Sequence, residues 1–111
     1  MTRWTAVCAL ADLDPERGVT ALVEGHQVAV FRLADDRVLA VQQKDPYSGA
    51  NVLSRGIVGS AGDVATVTSP MYKQVWSLES GTCLDPGGKP AHDLVVFPAR
   101  VDDGRVLVAA P

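Results

Sequence analysis

Apolar and β-branched residues recur along this chain in short runs parted by turn formers, a strand pattern more than a helix pattern. Trp4 to Val7 and Thr20 to Val23 are the first two runs, separated by Asp12-Leu13-Asp14-Pro15-Glu16-Arg17-Gly18. Glu24-Gly25 predicts a tight turn into Gln27 to Arg32, and Asp35-Asp36 turns that run into Arg37 to Gln42. The same device closes the chain: Asp93 to Arg100, a turn at Asp102-Asp103-Gly104, then Arg105 to Ala109. No window of about a dozen residues holds a 3.6-residue apolar period, so no long helix is expected. The pattern predicts a small antiparallel β domain, a sandwich or partly open barrel.

The middle third breaks this rhythm. Between Gln43 and Gly62 stand Pro46, Gly49, Gly56, Gly59 and Gly62, with only short apolar pairs between them. Ala65 to Thr68 resumes a strand, Ser69-Pro70 interrupts it, and Gln74 to Leu78 is the next. Glu79-Ser80-Gly81-Thr82 then turns the chain into Cys83-Leu84. This stretch reads as a smaller, loop-rich subdomain, about 43–84, inserted into the β framework of one domain spanning 1–111. Long ordered connections in compact domains usually exist for binding.

Composition narrows the class. A chain of 111 residues, 47% hydrophobic and 21% charged, is globular and large enough for one core. The net charge of −3 argues against nucleic acid or an anionic membrane as partner, because both need a basic footprint. No apolar stretch approaches the roughly 20 residues that span a bilayer. Met1-Thr2-Arg3-Trp4-Thr5 lacks the apolar core of a signal peptide, so a cytoplasmic protein is expected.

Conventional site chemistry finds little to work with. Cys8 and Cys83 are the only cysteines and are expected to pack as separate thiols, with a disulfide or metal pair as the alternative. The only histidines, His26 and His92, fall in a turn and in a Pro/Gly-rich loop, at no metal spacing from either cysteine. Gly56-x-x-Gly59-x-x-Gly62 lacks the Lys-Ser/Thr of a phosphate loop; its glycines are expected to serve tight turns. No nucleophile elbow or triad spacing is present.

Two boxes in the middle third remain: Asp45-Pro46-Tyr47-Ser48-Gly49-Ala50-Asn51-Val52-Leu53, and Val67 to Gly81 with Ser69-Pro70-Met71-Tyr72-Lys73-Gln74 at its centre. In placement and flanking residues they resemble the two ligand loops of a Rieske-type [2Fe–2S] domain, Cys-x-His and Cys-x-x-His. At the four ligand places stand Asp45, Tyr47, Ser69 and Tyr72. The match runs from about Gln43 to Leu84, and the flanking strands suit the same fold. Asp45 to Gly59 and Ser69 to Gln74 resemble in particular the small subunits of assimilatory NAD(P)H-dependent nitrite reductases, which are cluster-less Rieske-like proteins.

A carboxylate, a hydroxyl and two phenols are hard oxygen donors, poorly matched to iron–sulfur ligation. A phenol with pKa about 10 also costs free energy to ionise. Asp45 and Ser69, each before a proline, are expected to accept backbone N–H bonds in local turns. Tyr47 and Tyr72 are expected either to fill the space between the two loops or to meet a partner directly. Lys73 and Arg55 are solvated charges or ion-pairing groups.

The resemblance implies an all-β, Rieske-like sandwich that is not itself an enzyme and holds no cofactor or metal. It implies a large-subunit partner carrying FAD, an iron–sulfur cluster and sirohaem, which reduces nitrite to ammonium. Asp45, Tyr47, Arg55, Tyr72, Lys73 and Gln74 are the candidate contacts to that subunit. The alternative is a free-standing Rieske-like binding or regulatory module; a true Rieske ferredoxin is disfavoured by its missing ligands.

Overall fold

A computed structural model describes residues 3–111. Met1 and Thr2, the start of the N-terminal stretch read above, lie outside the described residues. The strands are β1 (Trp4–Ala9), β2 (Arg17–Val23), β3 (His26–Arg32), β4 (Val38–Gln42), β5 (Ile57–Ala61) and β6 (Val64–Thr68). They continue as β7 (Val75–Ser77), β8 (Cys83–Asp85), β9 (Val96–Phe97), β10 (Ala99–Asp102) and β11 (Arg105–Ala109). Two single 3-10 turns, Leu10–Asp12 and Leu53–Arg55, are the only helical pieces among the described residues.

These strands form three antiparallel sheets, ordered β1-β11-β10, β2-β3-β4-β9 and β5-β6-β7-β8. The middle sheet explains why Val28-Ala29-Val30-Phe31 is apolar without alternation. Val28 and Val30 join a core with Leu13, Val38, Phe97, Val106 and Val108, facing the first sheet. Ala29 and Phe31 join a second core with Val41, Leu53, Val67, Trp76 and Leu78, facing the third. A strand buried on both faces has no polar side to write. Each fully buried side chain of this kind contributes about 1.5–3 kcal/mol.

The expected hairpins form where an acidic residue precedes glycine. Glu24 and Gly25 take φ 47° and 84°, and Asp103 and Gly104 take 52° and 74°, both central residues being left-handed as a type I′ turn requires. The run expected from Asp93 to Arg100 is instead broken in two. Pro98, without an N–H, ends β9 in the middle sheet, and β10 begins in the first sheet at Ala99.

The inserted stretch has more order than its glycines suggested, since β5 runs through Gly59 and pairs along its length with β6. Of the three spaced glycines only Gly62 takes a positive φ, 61°, in the β5–β6 turn. Gly56 is needed for a different reason: a Cβ there would stand 2.6 Å from a Val67 methyl and 2.7 Å from the Thr68 carbonyl.

Candidate functional site

Three loops meet at the end of the third sheet: residues 45–50, residues 69–74, and the Pro/Gly-rich segment 86–93. The first is closed on itself by Asp45 N–H to the Ala50 carbonyl and Gly49 N–H to the Asp45 carbonyl, both 2.8 Å. The second is closed by Ser69 N–H to the Gln74 carbonyl, 2.9 Å. Pro46 and Pro70, each following the side chain that turns the chain, favour such local closure.

Asp45 is fully buried and forms no ion pair among the described residues; its carboxylate is held by hydrogen bonds. Its Oδ1 accepts the Tyr47 N–H at 2.8 Å, the local turn expected from the sequence. Its Oδ2 accepts the Ser69 hydroxyl at 2.5 Å, joining the first loop to the second across 24 residues. Ser69 is buried too, and its Oγ accepts the Met71 N–H at 3.1 Å. A short O–H···O⁻ bond between buried partners is among the stronger kinds of hydrogen bond.

Tyr47 joins the first loop to the third. Its hydroxyl donates to the Pro90 carbonyl at 2.7 Å and accepts the His92 N–H at 3.0 Å. With its proton given to Pro90, the phenol oxygen accepts from the Cys83 thiol, 3.6 Å away. Its ring lies 5.9 Å from that of the buried Trp76 and 5.3 Å from that of His92. Trp76 completes the tie by donating Nε1–H to the His92 carbonyl at 2.7 Å. Burial pushes the Tyr47 phenol above its ordinary value, and the Cys83 contact adds to this while the His92 N–H opposes it.

The remaining candidates separate. Tyr72 does not fill the space between the loops: it is 54% exposed, with the Lys89 ammonium 4.8 Å from its ring centroid. Met71, Lys73 and Leu84 are exposed with it, and Lys73 takes φ 63°. Burial removes Asp45 and Gln74 from any direct partner contact, because side chains at 0% and 1% exposure offer no surface. Gln74 Oε1 has no hydrogen-bond partner among the described residues. Arg55 is exposed on the 3-10 turn, beside a cleft it shares with Glu16 and Arg17. His92, expected to be a solvated loop residue, is exposed yet carries the backbone groups that hold Tyr47 and Trp76.

One buried network escaped the sequence reading. Gln43 donates Nε2–H to Thr20 Oγ1 and Ser54 Oγ, at 2.7 and 2.8 Å, and accepts the Ser54 N–H at 2.7 Å. It pins the start of the inserted stretch to β2. The only trace in the sequence is an amide standing where an apolar strand ends.

Comparison with known proteins places this geometry. The profile of the Rieske-like [2Fe–2S] domain matches residues 3–109. The chain belongs to the Rieske-like [2Fe–2S] domain family. Within it, the chain is 37% identical over 107 residues to the nitrite reductase (NADH) small subunit of Salmonella typhimurium, covering 96% of each. It is 40% identical over 105 residues to part of the nitrite reductase [NAD(P)H] large subunit of Klebsiella oxytoca, covering 95% of this chain and 11% of that one. A crystal structure described as a proposed NADH-dependent nitrite reductase small subunit of Mycobacterium tuberculosis superposes with TM-score 0.91 and 48% identity. That match covers 100% of this chain and 97% of the other.

The family description implies a cluster that needs two thiolates and two imidazoles. The Rieske-like loops of this chain do not fit that group. Asp45 and Ser69 are hydrogen-bonded to each other, and Tyr47 has both hydrogen-bonding directions of its hydroxyl used. Tyr72 faces outward. Cys8 and Cys83 are free thiols on β1 and β8, in different sheets.

Proposed function

We propose that this chain is a non-catalytic accessory subunit of an assimilatory NAD(P)H-dependent nitrite reductase and holds no iron–sulfur cluster. The observation that carries the reading is the Klebsiella oxytoca match. A sequence of this kind lies inside a protein named as the large subunit, so the two parts are built to work together. The similarity along 96% of the Salmonella typhimurium nitrite reductase (NADH) small subunit supports the same reading.

In this reading the partner is a cytoplasmic large subunit that carries FAD, an iron–sulfur cluster and sirohaem and reduces nitrite to ammonium. The chain meets it through the loop end, where Met71, Tyr72, Lys73 and Leu84 supply exposed apolar area and a cation; Arg55 is a further candidate. Aromatic and Met side chains near a cation are common anchors of protein interfaces. The Asp45–Ser69 bond and the Tyr47 ties are what keep that surface in shape without a metal.

Co-expression with the large subunit tests this, by measuring nitrite-dependent NAD(P)H oxidation with and without the chain. The expected result is co-purification, a pure small subunit without iron or acid-labile sulfide, and weaker association for Lys73→Glu. A chain that neither binds the large subunit nor changes its activity would overturn the assignment.

A further inference from the structure

The outer edge of β5 pairs with no other strand among the described residues. Natural sheets blunt such edges with charge, proline, bulges or shortness. The other edges here follow that rule. β1 carries a bulge between Ala6 and Cys8, and β2 carries Arg17. β10 carries Arg100 and Asp102, β8 ends on Asp85-Pro86, and β9 is two residues long. The sequence of β5, Ile57-Val58-Gly59-Ser60-Ala61, has neither charge nor proline, and its pairing with β6 shows no bulge. Ile57 is 71% exposed, the most exposed large apolar side chain among those described.

We propose that β5 is a self-association edge, pairing antiparallel with β5 of a second copy about a two-fold axis at Gly59. The two-residue turn at Gly62-Asp63 makes Ala61 and Val64 a hydrogen-bonded pair, so Gly59 and Ile57 also point their backbone groups at β6. Val58 and Ser60 therefore point theirs outward. In the two-fold register centred on Gly59, Val58 lies opposite Ser60 of the copy, and the reverse, so outward groups meet outward groups. Gly59 faces Gly59, where no side chain obstructs the approach.

Charge and packing select the same register. Ile57 falls opposite Ala61 of the copy, in a close non-hydrogen-bonded pair that covers its exposed side chain. Arg55 and Asp63 flank β5 at its two ends, both exposed, and neither is in an ion pair among the described residues. The two-fold brings each beside the opposite charge of the copy, twice. A register shifted by one strand pair loses that match. The edge is thus self-complementary in hydrogen bonds, shape and charge, which is what an isologous contact requires.

Sedimentation of the isolated full-length chain from micromolar to millimolar concentration tests this independently of large-subunit binding. Wild type is expected to pass from an 11.7 kDa monomer to a dimer. Arg55→Asp and Asp63→Arg should each weaken association roughly tenfold, and the double swap should restore it. Ser60→Pro, which removes an outward N–H, should abolish it while circular dichroism and the melting curve report an intact fold. A chain monomeric throughout, or a dimer indifferent to all four variants, would overturn the proposal. So would a monomer whose Ser60→Pro variant loses the large subunit, since the occupant of the edge would then be that protein.

Discussion

The middle sheet and the loop end of this molecule are held together by different physics. β3 and β4 sit between two apolar cores, and nearly every side chain from Val28 to Phe31 is buried by hydrocarbon on one face or the other. At the loop end, three loops meet through a carboxylate, a hydroxyl, a phenol and an indole N–H. Apolar packing is non-directional and tolerates exchange of similar volumes. Buried hydrogen bonds are directional, and an orphaned partner is costly. The core keeps the fold, while the loop end fixes one arrangement of a surface that a family relative with a metal would brace by ligation.

The contrast can be broken most forcefully from the core side. Phe31→Ala is expected to cost about 3–5 kcal/mol, a loss in denaturant midpoint that chemical unfolding would show. Ser69→Ala should cost about 2–3 kcal/mol, because it strands a buried carboxylate oxygen for the removal of one atom. An unchanged midpoint would mean that the loops are braced otherwise.

Tyr47 sharpens the comparison through pH. Its phenol is raised above the ordinary value of 10.0, so the folded state holds the proton more tightly than the unfolded chain does. Its contribution is complete below pH about 10 and is lost as pH rises through the folded pKa. Melting temperature should therefore fall in that alkaline range, and the Tyr47→Phe variant should lose the part of the fall due to this residue. Parallel pH profiles for the two proteins would contradict the assignment.

Gln74 is the smallest case. Its Oε1 is already without a partner, so Gln74→Met is expected to change stability by about 1 kcal/mol or less. A large loss would reveal a bonded partner for the amide.

The sequence disclosed these two regions unequally. Strand runs and their acidic–glycine turns were legible, because type I′ turns require left-handed residues that Gly25 and Gly104 supply. The local turns at Asp45 and Ser69 were legible from the prolines that follow them. β5 was not, because Ile57 to Ala61 contains small residues and a glycine and is defined by its partner β6. Nor could the chain alone tell Tyr47 from Tyr72. Both stand in corresponding boxes, and only the packing of Trp76, Pro90 and His92 makes one a tie and leaves the other exposed. The Gln43 network joins residues 23 and 11 positions away, a proximity no local pattern encodes.

The bond between Asp45 and Ser69 is the central claim, and a double-mutant cycle over Asp45→Ala and Ser69→Ala measures it most directly. Urea unfolding of the four proteins should give a coupling free energy of about 1.5–3 kcal/mol, as for a buried hydrogen bond to a charged group. Additive losses, with coupling below about 0.5 kcal/mol, would show that this bond does not brace the loops.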